Sequence, residues 1–188
     1  RNQGQRPMYI FPIISVFIPG LTRDTVQGDV ALLDVLSDMG ATVESINGGL
    51  RSSRSIDTSL RGCNVDLSDI PDMSLTIGAL AAVATGSTSM TSAKILQYKE
   101  SDRLTAMATE LRKVGADVEI SNNNDTITVT PRLPLNTTDI DTYDDHRMAM
   151  CFSLAAFGMP LRINDPKCVA KTFPDYFERF SAVTKTAP

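Results

Sequence analysis

The 188-residue chain has no tryptophan, one histidine and three cysteines, and only 6% of it is aromatic. His146 stands alone, and Cys63, Cys151 and Cys168 form no CxxC pair, so the spacing of a zinc or iron–sulfur centre is missing. Three well-separated cysteines point to reduced thiols in a reducing compartment, so a cytoplasmic setting is expected. No Gly-rich phosphate loop and no Ser/His/Asp set is visible. A formal charge of −4 excludes a general nucleic-acid binder, and any phosphate ligand must be held by a few placed cations. Long apolar runs are lacking too. The longest, residues 8–19, is broken by Pro12 and Pro19 and is too short to span a bilayer. It has no small-residue cleavage site for a signal peptide, and it reads as a buried strand behind a ragged leader.

What is present is β/α alternation with an internal repeat. A helix is expected over residues 26–39, capped by Thr22 or Asp24, with Val26, Val30, Leu33 and Leu36 as its apolar stripe and Gly40 as its stop. A strand at 41–46, a turn at Asn47-Gly48-Gly49 and a polar strand near 55–60 follow. Residues 73–84 are apolar on every side and should form a buried helix, entered through Pro71. After a strand at 87–91 comes an amphipathic helix opening at Lys99, with Leu104, Met107, Leu111 and Val114 on one face and Gly115 as its stop. A hairpin of 116–120 and 126–130, a second all-apolar helix from Arg147 to a stop at Gly158, a strand at 161–164 and a helix over 173–183 complete the order.

Leu36-x-x-Met39-Gly40-Ala41-x-Val43-Glu44 returns 75 residues later as Leu111-x-x-Val114-Gly115-Ala116-x-Val118-Glu119. Ala79-Leu80-Ala81-Ala82 has its counterpart in Ser153-Leu154-Ala155-Ala156. The fold class expected is therefore α/β, built of repeated units of about 75 residues with buried helices inside and sheets outside. Residues 1–17 read as a leader, and 18–188 as one domain of about two and a half units.

The charges at two helix starts are anomalous. A helix N-terminus carries partial positive charge, yet Lys99 and Arg103 fall in one expected opening turn, and His146 with Arg147 in another. Cations and free N–H groups together suit an anion. An isolated cluster is commonly a solvated face with a Glu100–Arg103 pair; two such starts read as two walls of a polyanion site. Lys171 is a fourth cation at a loop. Asp72 and Glu100 are the carboxylates beside them, suited to general acid–base work, although Asp72 is equally an ordinary helix cap. His146 reads as a hydrogen-bonding neighbour of the cations.

Gln27-Gly28-Asp29, Ile70-Pro71-Asp72, Lys99-Glu100-Ser101-Asp102-Arg103-Leu104, Tyr143 to Phe152, and Asp165-Pro166-Lys167-Cys168 through Lys171-Thr172-Phe173-Pro174-Asp175-Tyr176 together resemble the 5-enolpyruvylshikimate-3-phosphate synthase family, in its C-terminal part. The resemblance implies an inside-out α/β fold and transfer of the enolpyruvyl group of phosphoenolpyruvate to the 5-hydroxyl of shikimate 3-phosphate, with release of phosphate, in the shikimate pathway. It implies addition and elimination through a tetrahedral intermediate, without metal or organic cofactor, and glyphosate as inhibitor. By motif, Asp72 would take or hold the hydroxyl proton and Lys99 would contact the shikimate phosphate side. Glu100 would exchange a proton with the methylene carbon, Arg103 and Arg147 would clamp the phosphoenolpyruvate carboxylate, and Lys171 would assist the departing phosphate. The family's site lies between two domains, so an N-terminal domain is the implied partner. Ile95 and Gln97-Tyr98 depart from the Asn and Arg-Val common there. The alternatives are a non-catalytic anion-binding domain and a related transferase acting on a UDP-sugar, against which the Lys-Glu-Ser-Asp-Arg and Asp-Pro-Lys-Cys motifs argue.

Overall fold

A computed structural model describes residues 15–55, 58–157 and 159–185. The repeat is visible in it. In the middle unit, β4 (Asn64–Asp66) leads into α2 (Ser74–Ala82), and β5 (Thr88–Thr91) into α3 (Arg103–Lys113). The hairpin of β6 (Asp117–Ile120) and β7 (Thr126–Thr130) closes the unit. Its sheet has the order β4-β5-β7-β6, with β4 and β5 parallel and the other pairs antiparallel.

Ahead of it, α1 (Leu32–Asp38), β2 (Thr42–Ile46) and β3 (Gly49–Ser53) repeat the second half of that unit, and β1 (Ser15–Pro19) completes a sheet of order β1-β3-β2. After it, β8 (Thr138–Ile140), α4 (His146–Ser153), β9 (Leu161–Ile163) and α5 (Tyr176–Lys185) repeat the first half, with β8 and β9 parallel. Gly40 and Gly115, one repeat apart, both stop their helices at φ +101°, a left-handed conformation that glycine adopts without a Cβ penalty.

The helices expected to be apolar all round lie at the centre, although α4 begins with His146 and Arg147 and is apolar on its inner face only. Ser74, Leu75, Ile77, Gly78, Ala79, Ala81 and Ala82 of α2 are buried, as are Met148, Ala149, Cys151 and Phe152 of α4. The two pack on each other, with Thr76 Oγ1 3.2 Å from Cys151 Sγ. Those positions are 75 apart, within one residue of equivalence, so the two repeats meet along their matching helices. The amphipathic α3 packs on α2 where Gly78 permits close approach: a Cβ there would stand 2.7 Å from Met107 Sδ. Ile127 and Val129 of β7 and Met90 of β5 face inward and are fully buried, leaving the sheet outside its helices.

Several local expectations change. The first helix is shorter than 26–39: a 3-10 turn at Gly28–Ala31 precedes α1, no side chain caps either, and Val26 is almost wholly exposed rather than part of the stripe. A polar strand falls at Gly49–Ser53, because Asn47 and Gly48 take positive φ and turn the chain at once into β3; of the 55–60 stretch expected as a strand, residues 56–57 lie outside the described residues and the rest is irregular. The run at 8–19 was expected to be a buried strand. Residues 8–14 lie outside the described residues, and the remainder, β1, is exposed at every position. Among the described residues it is an edge strand paired only with β3, and Val16, Phe17 and Ile18 are 43–49% exposed. β1 also runs across the point, between 17 and 18, at which a change from leader to domain was expected. The stop expected at Gly158 lies outside the described residues; Leu154–Phe157 ends the second buried helix as a 3-10 turn. β4 and β8, each with a single buried residue, carry too little pattern to be seen in the sequence. Among the described residues no helix is long and apolar enough to cross a membrane.

Candidate active site

The helix expected to open at Lys99 begins four residues later. Asp102 is its N-cap, accepting from Thr105 N at 3.1 Å, and Lys99 lies before it in extended backbone after a 3-10 turn at Ala93–Tyr98. Asp is among the best caps, and it places negative charge at the positive helix end, where a start at Lys99 would have placed a cation. The second start is built alike: Asp145 caps α4, accepting from Arg147 N at 2.9 Å.

The two starts converge on Asp72, in the 3-10 turn Pro71–Met73 that leads into α2. Lys99 Nζ and Arg103 Nη1 each lie 3.0 Å from Asp72 Oδ1, and Arg147 Nη2 lies 3.2 Å from its Oδ2. Three cations on one carboxylate have a clear electrostatic consequence. Partial burial pushes the Asp72 carboxyl up, but the Lys99 hydrogen bond and the charges of Arg147, Lys99 and Arg103 outweigh it and hold it below the usual range.

Arg103 is the most enclosed member. It has no exposed surface, and its guanidinium donates through Nε to Asp145 Oδ2 at 2.8 Å, through Nη1 to Asp72, and through Nη2 to Glu100 Oε2 at 2.6 Å and Asp145 Oδ1 at 3.3 Å. Asp145, equally buried, also accepts from Ser101 Oγ at 3.1 Å. Burial raises the Asp145 carboxyl, yet the bond and charge of Arg103 hold it well down. Asp145 and Ser101 were not singled out in the sequence. The signal for Asp145 was its place at the capping position just before His146-Arg147.

His146 is buried, and its Nδ1 has no hydrogen-bond partner among the described residues, standing 3.8 Å from Asp145 Oδ1. Desolvation lowers its pKa, with the charge of Arg147 adding to the effect and those of Asp145 and Glu100 opposing it. The imidazole is therefore expected to be neutral at pH 7. A depressed folded value means that His146 contributes stability above its unfolded value, which is lost as pH falls through the folded one. As the chain's one histidine, it gives a single NMR titration curve, whose midpoint should fall below 6.5. A midpoint above 6.5 would show that the Asp145 charge dominates the ring.

Lys171 ends the 3-10 turn Pro166–Lys171, is exposed, and donates to Asp144 O at 3.3 Å. The structure thus brings Asp72, Lys99, Glu100, Arg103 and Arg147 into one contact network, sets His146 beside it, and holds Lys171 at its edge. With His146 neutral, four cations face three carboxylates and the site retains one net positive charge. Lys99, Arg147 and Lys171 keep solvent access for an incoming anion, while Arg103 faces inward. Among the described residues no cluster of His, Cys, Asp and Glu could hold a metal ion.

The chain is similar to known proteins along most of its length. The family model described as EPSP synthase (3-phosphoshikimate 1-carboxyvinyltransferase) matches residues 9–180. The chain is 49% identical over 174 residues to 3-phosphoshikimate 1-carboxyvinyltransferase of Yersinia pestis, covering 92% of this chain and 40% of that protein. To the protein of the same name from Nitrosomonas eutropha it is 47% identical over 176 residues, again covering 40% of the relative. The chain thus spans about two fifths of the length of the curated relatives it matches. Among solved structures, EPSP synthase from Acinetobacter baumannii superposes with a TM-score of 0.75 at 25% identity, over 93% of this chain and 43% of that one. The enolpyruvyl transferase NikO from Streptomyces tendae superposes with a TM-score of 0.69 at 20% identity, over 94% of this chain and 41% of that one, which speaks to fold alone. The family-model match over residues 9–180, with 49% identity to a curated relative over 92% of this inside-out α/β chain, places it in the EPSP synthase family.

Proposed function

We propose that the chain carries one wall of a site that transfers the enolpyruvyl group of phosphoenolpyruvate to the 5-hydroxyl of shikimate 3-phosphate, releasing phosphate. The observation that carries this reading is the convergence of Lys99, Arg103 and Arg147 on Asp72 with Glu100 alongside. The remainder of the site is assigned to an N-terminal domain, in keeping with the two-fifths span of the relatives. The 18–188 domain and a cytoplasmic setting, or the stroma in a plant, belong to the same reading.

Each residue then has a task its surroundings permit. A carboxylate stabilised by three cations is a weak base, so Asp72 orients the substrate hydroxyl and accepts its proton only as the oxygen bonds to C2, passing it on to the departing phosphate. Arg147 and Lys99, each about a quarter exposed at the side chain, offer charge to the phosphoenolpyruvate carboxylate and the shikimate phosphate side. Four of the five Arg103 N–H groups are committed, so Arg103 joins the clamp when the phosphoenolpyruvate carboxylate displaces Glu100 from Nη2. The displaced Glu100, once it has taken up a proton, can deliver it to the methylene carbon as the hydroxyl oxygen bonds to C2 and passes its own proton to Asp72. Elimination reverses that proton transfer as the C2–phosphate bond breaks. Lys171 neutralises the leaving phosphate, and His146 stays neutral beside the two arginines.

The test is a phosphoenolpyruvate titration of the chain with shikimate 3-phosphate present. Arg147→Ala should raise the Kd about tenfold or more, the effect of removing a charge-assisted hydrogen bond. Unchanged affinity would remove Arg147 from the clamp. Binding without phosphate release would favour the second reading, a non-catalytic anion-binding domain, which the short span relative to the known enzymes supports.

A further inference from the structure

Glu110 lies on the same face of α3 as Arg103, two turns further along, and has no exposed surface. Lys113, one turn on, places Nζ 2.9 Å from its Oε1, an ordinary i,i+3 pair. Two further bonds come from a segment distant in sequence: Tyr143 O–H donates to Oε1 at 2.7 Å, and Asp141 N donates to Oε2 at 3.2 Å. That segment is unusual. Tyr143 and Asp144 both have φ +54°, and two successive non-glycine residues in the left-handed region persist only where their surroundings hold them. Glu110 grips this turn at Tyr143, and Lys171 grips it at Asp144 O. The next residue is Asp145, which caps α4 and carries the bond to Arg103.

We propose that Glu110 is a positioning residue: through the Tyr143 hydroxyl it holds the left-handed turn that sets Asp145 against Arg103 and starts α4 with His146 and Arg147 at the site. The inference rests on the functional reading only in taking these groups as the site. Burial, together with the Glu110 contact, pushes the Tyr143 hydroxyl up to about 12, so it stays a donor across the working pH range. The same carboxylate thus ties α3, which carries Arg103, to the start of α4, and sets the distance between the two walls.

NMR of the chain without ligand tests this, by following hydrogen exchange at Arg103 Nε–H against the amides of Met90 and Ile127 in the central sheet. The His146 ring, surrounded by Asp145, Arg147, Glu100 and Lys171, serves as a second reporter. Tyr143→Phe keeps the ring and removes the grip; exchange at Arg103 Nε–H should accelerate about tenfold relative to the sheet, and the His146 signals should move. Glu110→Gln keeps an acceptor for the hydroxyl and should remain within about threefold of the unmodified chain. Equal acceleration of Arg103 and the sheet in Tyr143→Phe, or none at either, would overturn the proposal and leave Glu110 as a partner of Lys113 and the Asp141 amide without a positioning role. No substrate enters, so that outcome would count against Glu110 and leave the transferase reading to the phosphoenolpyruvate titration.

Discussion

Arg103→Ala is expected to lower the unfolding free energy by about 3–5 kcal/mol at pH 7, the cost of stripping a buried ion pair of one partner. Arg103 and Asp145 are both without exposed surface, and their shortest contact is 2.8 Å. Removing the guanidinium leaves the Asp145 carboxylate with Ser101 Oγ and Arg147 N for compensation. The further Arg103 bonds to Asp72 and Glu100 add less, since those carboxylates are a third or more exposed. The sign of the pH dependence follows from Asp145, whose folded carboxyl is held below its unfolded value. Its contribution is present above about pH 4 and is lost as pH falls through the lower folded value. In Arg103→Ala the burial effect is no longer opposed by that charge, so Asp145 protonates more readily, and the deficit of the variant should narrow as the pH approaches the carboxylate range from above. Urea unfolding at several pH values measures both quantities. A deficit below about 1 kcal/mol, or one independent of pH, would show that the pair contributes little. Any affinity lost in this variant has to be read at a temperature where it is folded.

Under the proposed function, and with the site completed by its N-terminal domain, Glu100→Gln is expected to reduce phosphate release from phosphoenolpyruvate and shikimate 3-phosphate by about a hundredfold or more, the range of a positioned general acid. The fold should be unaffected. Glu100 is 45% exposed at its side chain, and glutamine keeps an oxygen for Arg103 Nη2. The amide cannot supply the proton that the methylene carbon takes up. Affinity for phosphoenolpyruvate should hold or improve, because the neutral amide releases Arg103 more easily than the carboxylate does. This split between turnover and binding separates the acid role from a positioning one. Full phosphate release in the variant would assign the proton to another group, and a parallel fall in affinity would make Glu100 a binding residue.

The same residues show why some of the site was readable in the chain and some was not. Lys99, Glu100, Arg103 and Arg147 were visible because cations beside helix starts conflict with the helix dipole, and a local conflict of that kind points to function. The conflict itself proved milder than the sequence implied. Asp102 and Asp145 cap the two helices, and an assignment of the opening turn that slipped by four residues had hidden the first of them. Asp145 escaped notice because its partner Arg103 is 42 residues away, and no local pattern connects them. Asp72 was ambiguous for the same reason: a helix-start aspartate acquires its role only when three distant cations arrive at it.

Periodicity alone determined the repeat of about 75 residues, the two helices destined for the interior, the hairpin of β6 and β7 and the glycine stops at Gly40 and Gly115, because each depends on the spacing of apolar residues and turn formers within one short segment. The tertiary structure decided which faces meet and which charges pair. It exposed β1 despite its apolar sequence, because an edge strand is covered only by what packs on it. It brought the two helix starts together on Asp72, buried Arg103 and left Arg147 open, because α2 and α4 pack along their matching positions and carry their N-termini to the same end of the core. Burial and charge pairing are sums over neighbours distant along the chain, and they take values only once the helices have packed.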